Sequence, residues 1–286
     1  MTMPTRLDRC LDEAAHKLAT SGIEAPRREA RLLMGHCLGR DPAQLLGPQA
    51  ETVSESEQYF SLVDRRARHE PLSYILGRRE FWSLEFEVGP DVLDPRPDSE
   101  ILVETALRFW PEAPATARVL DLGTGSGCLL LSLLHERRQA SGVGIDFSSA
   151  ALEIAKRNAA SLGLGDRTIF LQGDWARGIG DRFDIILANP PYIASDEIDD
   201  LEPEVAVFEP LLALDGGADG LDAYRRLAPE LMRLTAPSGK TFLEIGVGQM
   251  ESVTRILEGS GMEVFSTSKD LAGHTRCLAA QPRKRS

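Results

Sequence analysis

Val119-Leu120-Asp121-Leu122-Gly123-Thr124-Gly125-Ser126-Gly127 is the stretch that decides the fold class. A short apolar run of strand character enters a loop with glycine at every second position, and residues 129–135 continue with helical character. Glycines there permit positive φ and let a ligand approach the backbone closely. The spacing is G-x-G-x-G and not the G-x-G-x-x-G of dinucleotide folds, because position 128 is Cys. Outward from this unit, strands and helices alternate: a strand at 142–145, a helix at 149–161, strands at 168–171 and 183–188, a helix at 221–234 and a strand at 240–245. That alternation predicts an α/β chain with a doubly wound, mostly parallel sheet, whose ligands bind at the carboxyl ends of the strands.

The glycine loop has acidic partners at such strand ends. Asp146 closes Gly144-Ile145-Asp146, where a carboxylate accepts hydrogen bonds from both ribose hydroxyls. Asp174 and Trp175 close a further strand, placed to accept from an adenine amino group and to cover the ring face. There is no G-x-x-x-x-G-K-[ST] loop, and Thr124 rules out a G-x-S-x-G nucleophile elbow. S-adenosylmethionine suits this set: a ribose, an adenine and an amino-acid tail, with no phosphate. Asp121 fits the tail ammonium, directly or through water. The backbone of Gly123, Thr124, Gly125, Ser126 and Gly127 then borders the sulfonium. Each feature alone has a plainer explanation: a tight turn, a helix cap at Asp146, a cap with a packed indole at Asp174 and Trp175. Their joint occurrence in this order argues for a cofactor site.

Asn189-Pro190-Pro191-Tyr192 follows the apolar run 183–188. Two prolines fix φ, supply no N–H and push the preceding residue to an extended conformation. The result is a stiff loop at a strand end with free carbonyls. With an Asn amide and a Tyr ring beside them, it suits a planar amide or amidine nitrogen.

The 286 residues carry a formal net charge of -12, with 42% hydrophobic and 27% charged residues. That is ordinary globular composition, and the acidic balance disfavours nonspecific association with nucleic-acid phosphates. It does not exclude a local basic patch. Cys10, Cys37, Cys128 and Cys277 have no paired spacing, and the histidines are dispersed, so no disulfide framework or metal site is readable. No secretion signal or membrane-length apolar run is visible, and a cytoplasmic, soluble protein is expected. Residues 1–77 read as a small helical bundle, with Leu7, Leu11, Ala14 and Leu18 at helical spacing and Pro26 opening a second helix. Asp41-Pro42 reads as a helix start, and Ser54 with Glu57 as a capping box for a helix to Arg68. Residues 78–95 read as a β-hairpin linker, 81–88 pairing with 92–95 across Gly89-Pro90-Asp91. Asp98 or Ser99 then caps a helix that runs to Phe109, Pro111 and Pro114 break the chain, and Arg283-Lys284-Arg285 reads as a solvated tail. Residues 96–286 form the remaining, catalytic domain.

The glycine loop, Asp146 and Asn189-Pro190-Pro191-Tyr192 together resemble class I S-adenosylmethionine-dependent methyltransferases acting on planar nitrogen, adenine-N6 DNA methyltransferases among them. Three more stretches narrow the resemblance: Tyr74-Ile75-Leu76-Gly77 with Glu80-Phe81-Trp82; Leu93-Asp94-Pro95-Arg96-Pro97-Asp98-Ser99-Glu100; and Phe208-Glu209-Pro210 with Ala213-Leu214-Asp215-Gly216-Gly217 and Asp219-Gly220-Leu221. With these the chain is similar to the HemK/PrmC family, the glutamine-N5 methyltransferases of peptide chain release factors, over nearly its whole length. The family often has Ile before Pro-Arg-Pro where this chain has Asp94, and Thr where it has Ser99. The resemblance implies that Asn189 Oδ1 and the Pro190 carbonyl accept the two amide hydrogens, that Pro191 and Tyr192 complete the substrate site with Tyr192 on the amide face, and that Asn189 also borders the cofactor. It further implies a glutamine in the Gly-Gly-Gln loop of release factors as acceptor, a substrate-recognition role for residues 1–77, a monomer, and no stable nucleic-acid or membrane partner. Ribosomal-protein glutamine methyltransferases, adenine-N6 DNA methyltransferases and a catalytically silent cofactor-binding protein are the competing readings.

Overall fold

The computed structural model describes residues 5–47, 51–110, 114 and 116–283. The expected break at Pro111 and the basic residues Lys284 and Arg285 lie outside them. Packing divides the chain into two units, Met1–Gly77 with Glu202–Phe208, and Arg78–Leu201 with Glu209–Ser286.

In the first unit, strand β1 (Thr5–Arg6) leads into α1 (Leu7–Thr20), followed by α2 (Pro26–Leu38). The apolar stripe Leu7, Cys10, Ala14 and Leu18 is buried against Ala30 and Leu33 of α2. Asp41 caps a 3₁₀ turn over Pro42–Leu45, accepting from Ala43 N at 2.8 Å. The capping box expected at Ser54 does not form. Strand β2 (Thr52–Val53) pairs with β1, and α3 (Ser56–Ala67) begins only after it, with no side-chain cap. Tyr59 of α3 donates to the Ala30 carbonyl at 3.1 Å. Helix α4 (Leu72–Leu76) ends at Gly77 in the left-handed conformation. Arg66, 4% exposed, joins Glu29 at 2.5 Å and Glu204 at 2.7 Å.

In the second unit, strand β3 (Arg78–Phe81) pairs with β4 (Leu84–Glu87). This is not the hairpin expected from the sequence. The turn falls at Trp82-Ser83, both with positive φ (52° and 55°), the geometry of a tight two-residue hairpin. Gly89 accepts from Val92 N in a simple turn, and residues 92–95 form no strand. Nor is the hairpin a free linker. Phe81 and Phe86 enter the core, Trp82 N donates to Glu100 at 2.7 Å, and Asn158 holds the backbone of Glu87 at 2.7 and 3.0 Å.

Helix α5 (Glu100–Phe109) leads to the central sheet. Its strands are β5 (Arg118–Leu122), β6 (Ser141–Asp146), β7 (Thr168–Gln172), β8 (Phe183–Ala188), β9 (Thr235–Glu244), β10 (Met262–Lys269) and β11 (Thr275–Pro282). Their order is β10-β11-β9-β8-β5-β6-β7, and β11 alone runs against the others, pairing antiparallel with both β9 and β10. The intervening helices are α6 (Cys128–Glu136), α7 (Ser149–Ser161), α9 (Asp222–Leu234) and α10 (Met250–Gly259); the short α8 (Pro203–Ala206) belongs to the first unit. Successive residues of the parallel strands enter opposite cores: Val119, Ile185 and Leu187 lie on the α5–α6 side, and Leu120, Ile186 and Ala188 on the α9–α10 side. Burial on both faces is why these strands read as near-continuous apolar runs. No helix among the described residues is long and apolar enough to cross a membrane.

Candidate active site

The chain leaves β5 for β6 on one side while β8 pairs on the other, so β5 and β8 flank the topological switch point of the sheet. Leu122 and Ala188 are register partners, and Gly123 and Asn189 therefore emerge side by side. A Cβ on Gly123 would sit 3.4 Å from the Trp175 indole and 4.0 Å from the Asn189 carbonyl. Gly123, Gly125 and Gly127 all have positive φ. A cavity of about 580 Å³ opens here, bordered by the glycine loop, Asp146, Asp174, Trp175, Asn189 and Pro191. That is the size range of cofactor sites.

Asp121 lies under the loop, wholly buried, with Thr124 Oγ1 donating to Oδ2 at 2.6 Å and no protein partner on Oδ1. Burial pushes its carboxyl up to about 7, with Asp146 adding to the rise and Thr124 opposing it. A buried carboxylate oxygen without a partner is what a ligand ammonium completes. Asp146 accepts from Gly125 N at 2.8 Å and Ser148 N at 2.9 Å, one bond on each oxygen. It fixes the glycine loop and the approach to α7 and keeps a lone pair on each oxygen for a ribose. Asp174 borders the cavity, but its Oδ1 is bridged by Arg226 at 2.5 Å, a partner that sequence reading missed. Trp175 adopts positive φ (55°) and lies beside Gly123, whose absent side chain leaves the space between them open. The donor set and the bare Gly123 fit S-adenosylmethionine.

Of the acceptor loop, Asn189 and Pro191 border the cavity. Pro190 is buried. The Tyr192 ring packs with the apolar residues of the α9–α10 side, and its hydroxyl donates to Glu244 Oε1 at 3.3 Å. Tyr192 itself is not among the residues that line the cavity. The loop is braced from behind. Gln249 Nε2 donates to the Tyr192 carbonyl at 2.9 Å, and Ile193 exchanges backbone bonds with Leu214 and Gly216 at 3.1 and 2.8 Å. The Ala213–Gly217 and Asp219–Leu221 stretches thus serve the acceptor loop. Gly220 has φ +70°, and a Cβ there would collide with the Tyr192 carbonyl.

Three further residues escaped sequence reading. Ser99 was expected as a helix cap, yet it makes no capping bond; its Oγ accepts from Asn189 Nδ2 at 3.2 Å. Glu244, 2% exposed at the end of β9, gathers Tyr192 and Ser99, and burial pushes its carboxyl up to about 7 despite both hydroxyls and the opposing Arg276. A glutamate inside the apolar run Phe242-Leu243-Glu244-Ile245 was the available signal. Arg96 reaches Glu209 at 2.6 Å.

A cofactor cavity at the switch point of this sheet, with a proline-stiffened carboxamide loop on its rim, defines a class I S-adenosylmethionine-dependent methyltransferase. Residues 9–77 match the PrmC N-terminal domain, and residues 115–261 match a methyltransferase domain. A release factor glutamine methyltransferase from Rhodospirillum rubrum is 48% identical over 97% of this chain and 85% of its own length. One from Caulobacter vibrioides is 45% identical over 93% and 92%. The chain belongs to the release factor glutamine methyltransferase family. The fold is shared more widely: a methyltransferase from Pyrococcus furiosus covers 80% of this chain over 100% of its own at a TM-score of 0.53 and 15% identity.

Proposed function

We propose that this protein transfers a methyl group from S-adenosylmethionine to the side-chain amide nitrogen (N5) of the glutamine in the Gly-Gly-Gln motif of peptide chain release factors. The observation that carries this reading is the emergence of Gly123 and Asn189 side by side over one cavity, which brings a cofactor loop and an amide-accepting loop to a common point. Relatives that carry the release factor in their names select the amide.

An amide nitrogen is a poor nucleophile because its lone pair is delocalised into the carbonyl. When bound, S-adenosylmethionine supplies a methyl group activated by a sulfonium, which keeps the C–S electron pair and departs as a neutral thioether. What remains for the protein is alignment. Asn189 Oδ1 and the Pro190 carbonyl accept the two N–H bonds of the substrate amide and turn its nitrogen toward the glycine loop. These acceptors also favour the positive charge that grows on nitrogen as the N–C bond forms. The nitrogen then releases one proton to solvent. Consecutive prolines keep N–H donors out of a loop that must only accept. With the cofactor bound, Asp121 would hold its ammonium, Asp146 its ribose hydroxyls and Asp174 its adenine amino group, and Trp175 would cover the ring.

Residues 1–77 with 202–208 grip the release factor, and the net charge of -12 favours such a protein substrate over nucleic acid. In this reading the enzyme acts as a monomer in the cytoplasm, where release factors act. Mass spectrometry of an unmethylated release factor after incubation with enzyme and cofactor tests the function. One methyl group on the Gly-Gly-Gln glutamine is the expected result; a methylated ribosomal protein, or no transfer, overturns it.

A further inference from the structure

A carboxamide has two ends of nearly equal size, one accepting and one donating. Asn189 serves a substrate N–H only with Oδ1 toward the cavity; turned over, it would set a donor against a donor. Ser99 holds the donor end, its Oγ accepting from Asn189 Nδ2 at 3.2 Å. A hydroxyl has one proton, however, and a free Ser99 could donate it to Asn189 just as well. Glu244 removes that freedom. Its carboxyl interacts with the Ser99 hydroxyl, and its buried Oε2 has no hydrogen-bond partner, an acceptor left open for that proton. Tyr192 donates to Oε1, while the Tyr224 hydroxyl is taken up by the Glu244 main-chain oxygen at 2.8 Å. Arg276, held by Asp270 at 3.1 Å, favours the ionised carboxyl, and Asp98 opposes it.

We propose that Ser99 and Glu244 are positioning residues that fix which way the Asn189 carboxamide faces: the buried carboxylate takes the Ser99 proton, so Ser99 can only accept from Asn189. Through Tyr192 the same carboxylate anchors the other end of the tetrapeptide. Both act through Asn189, and the inference rests on Asn189 being the acceptor of the substrate amide.

The test uses the full chain, an intact unmethylated release factor and methyl-labelled S-adenosylmethionine. It reads kcat, the release-factor KM, cofactor Kd by calorimetry and the melting midpoint. Ser99→Ala is expected to lower kcat by about tenfold or more, as misaligned reacting groups do, with cofactor Kd and release-factor KM nearly unchanged. Ser99→Thr, which keeps the hydroxyl, restores most of that loss. Glu244→Gln offers Ser99 a competing N–H and lowers kcat to a similar degree. Because burial holds this carboxyl up to about 7, its ionisation costs stability as pH rises from the ordinary carboxylate range to 7, and the full cost is present above that pH. The amide variant should therefore melt no lower than wild type at about pH 8. The double variant Ser99→Ala/Glu244→Gln is no slower than Ser99→Ala alone, since both act on one orientation. A wild-type kcat in Ser99→Ala sinks the inference. So does a Ser99→Thr variant as slow as Ser99→Ala, or a kcat loss that tracks lower melting and weaker cofactor binding. Wild-type enzyme that transfers nothing to the release factor overturns instead the functional reading beneath it.

Discussion

Arg96 and Glu209 lie 113 positions apart, and their side chains meet at 2.6 Å with the Glu209 carboxyl side chain only 1% exposed. The contact ties the Pro-Arg-Pro segment before α5 to the Phe-Glu-Pro segment after the acceptor loop, and Asp94 adds a second carboxylate 3.9 Å from Arg96. Removing the guanidinium takes an ion-pair partner from a buried carboxylate. Arg96→Ala is expected to destabilise the protein by about 2–3 kcal/mol, below the full cost of a broken buried pair because Arg96 is itself partly exposed. Urea unfolding at neutral pH measures it, and a loss of less than about 0.5 kcal/mol, the size of an exposed ion pair, would remove the contact from any organising role.

Asn189→Ala removes one of the two acceptors aimed at the substrate amide. Turnover should fall by about a hundredfold or more, the scale for losing a single preorganised hydrogen-bonding group at a reacting centre. The glycine loop and Asp121 are untouched, so cofactor affinity should stay within about threefold, a difference of under 1 kcal/mol. Single-turnover kinetics with calorimetry separates the two. Near-normal turnover sinks the assignment.

Cofactor affinity should depend on pH through Asp121. Burial holds its carboxyl at about 7, and an ammonium pairs only with the ionised form. Binding therefore weakens about tenfold for each pH unit below 7. As pH rises through 7 the affinity levels off, then declines as an α-amino group near pKa 8 loses its proton. Calorimetry between about pH 5.5 and 8.5 should trace this maximum. In Asp121→Asn the acid limb disappears and affinity is lower throughout; an unchanged acid limb would place the ammonium elsewhere.

Gly220 and Gly39 offer a matched comparison. Both have positive φ, +70° and +63°, but a Cβ at Gly39 meets open space whereas one at Gly220 meets the Tyr192 carbonyl. Gly39→Ala should cost about 1 kcal/mol of stability, the strain of the left-handed conformation alone. Gly220→Ala should cost about 2 kcal/mol or more, because the backbone must also shift. It should slow methyl transfer too, since Gln249 couples the same carbonyl to Gly220 at 2.9 and 3.3 Å. Equal melting points for the two variants would contradict this account.

What the sequence made legible followed from adjacency. Glycine loop, Asp146 and Asn189 each sit directly after an apolar run, so recognising the strand located the residue. The hairpin was misplaced because Trp82-Ser83 lacks the Gly, Asn or Asp that usually takes positive φ at such a turn, although both residues adopt it between the buried Phe81 and Phe86. Strands β10 and β11 and helix α10 passed unread. In β10 the alternation is broken by register shifts between Val264 and Ser266 and between Ser268 and Lys269. Ser99 looked like a cap because serine before a helix usually is one, and only the tertiary neighbour Asn189 shows otherwise. Arg96 with Glu209, and Glu244 with Tyr192, are pairings set by chain crossings that no local pattern encodes.

Residues Glu202–Phe208 pack with the N-terminal helices although they follow the acceptor loop in sequence, and Glu204 is secured there by Arg66. A truncation at Gly77 is therefore not a simple domain deletion. It would strip the seven-residue segment that carries α8 of the helices it packs with, and leave Glu204 without Arg66, beginning ten positions after Tyr192. Loss of activity in such a fragment would confound recognition with disorder of the acceptor loop. A fair trial of the N-terminal unit must keep the backbone whole and alter its surface instead.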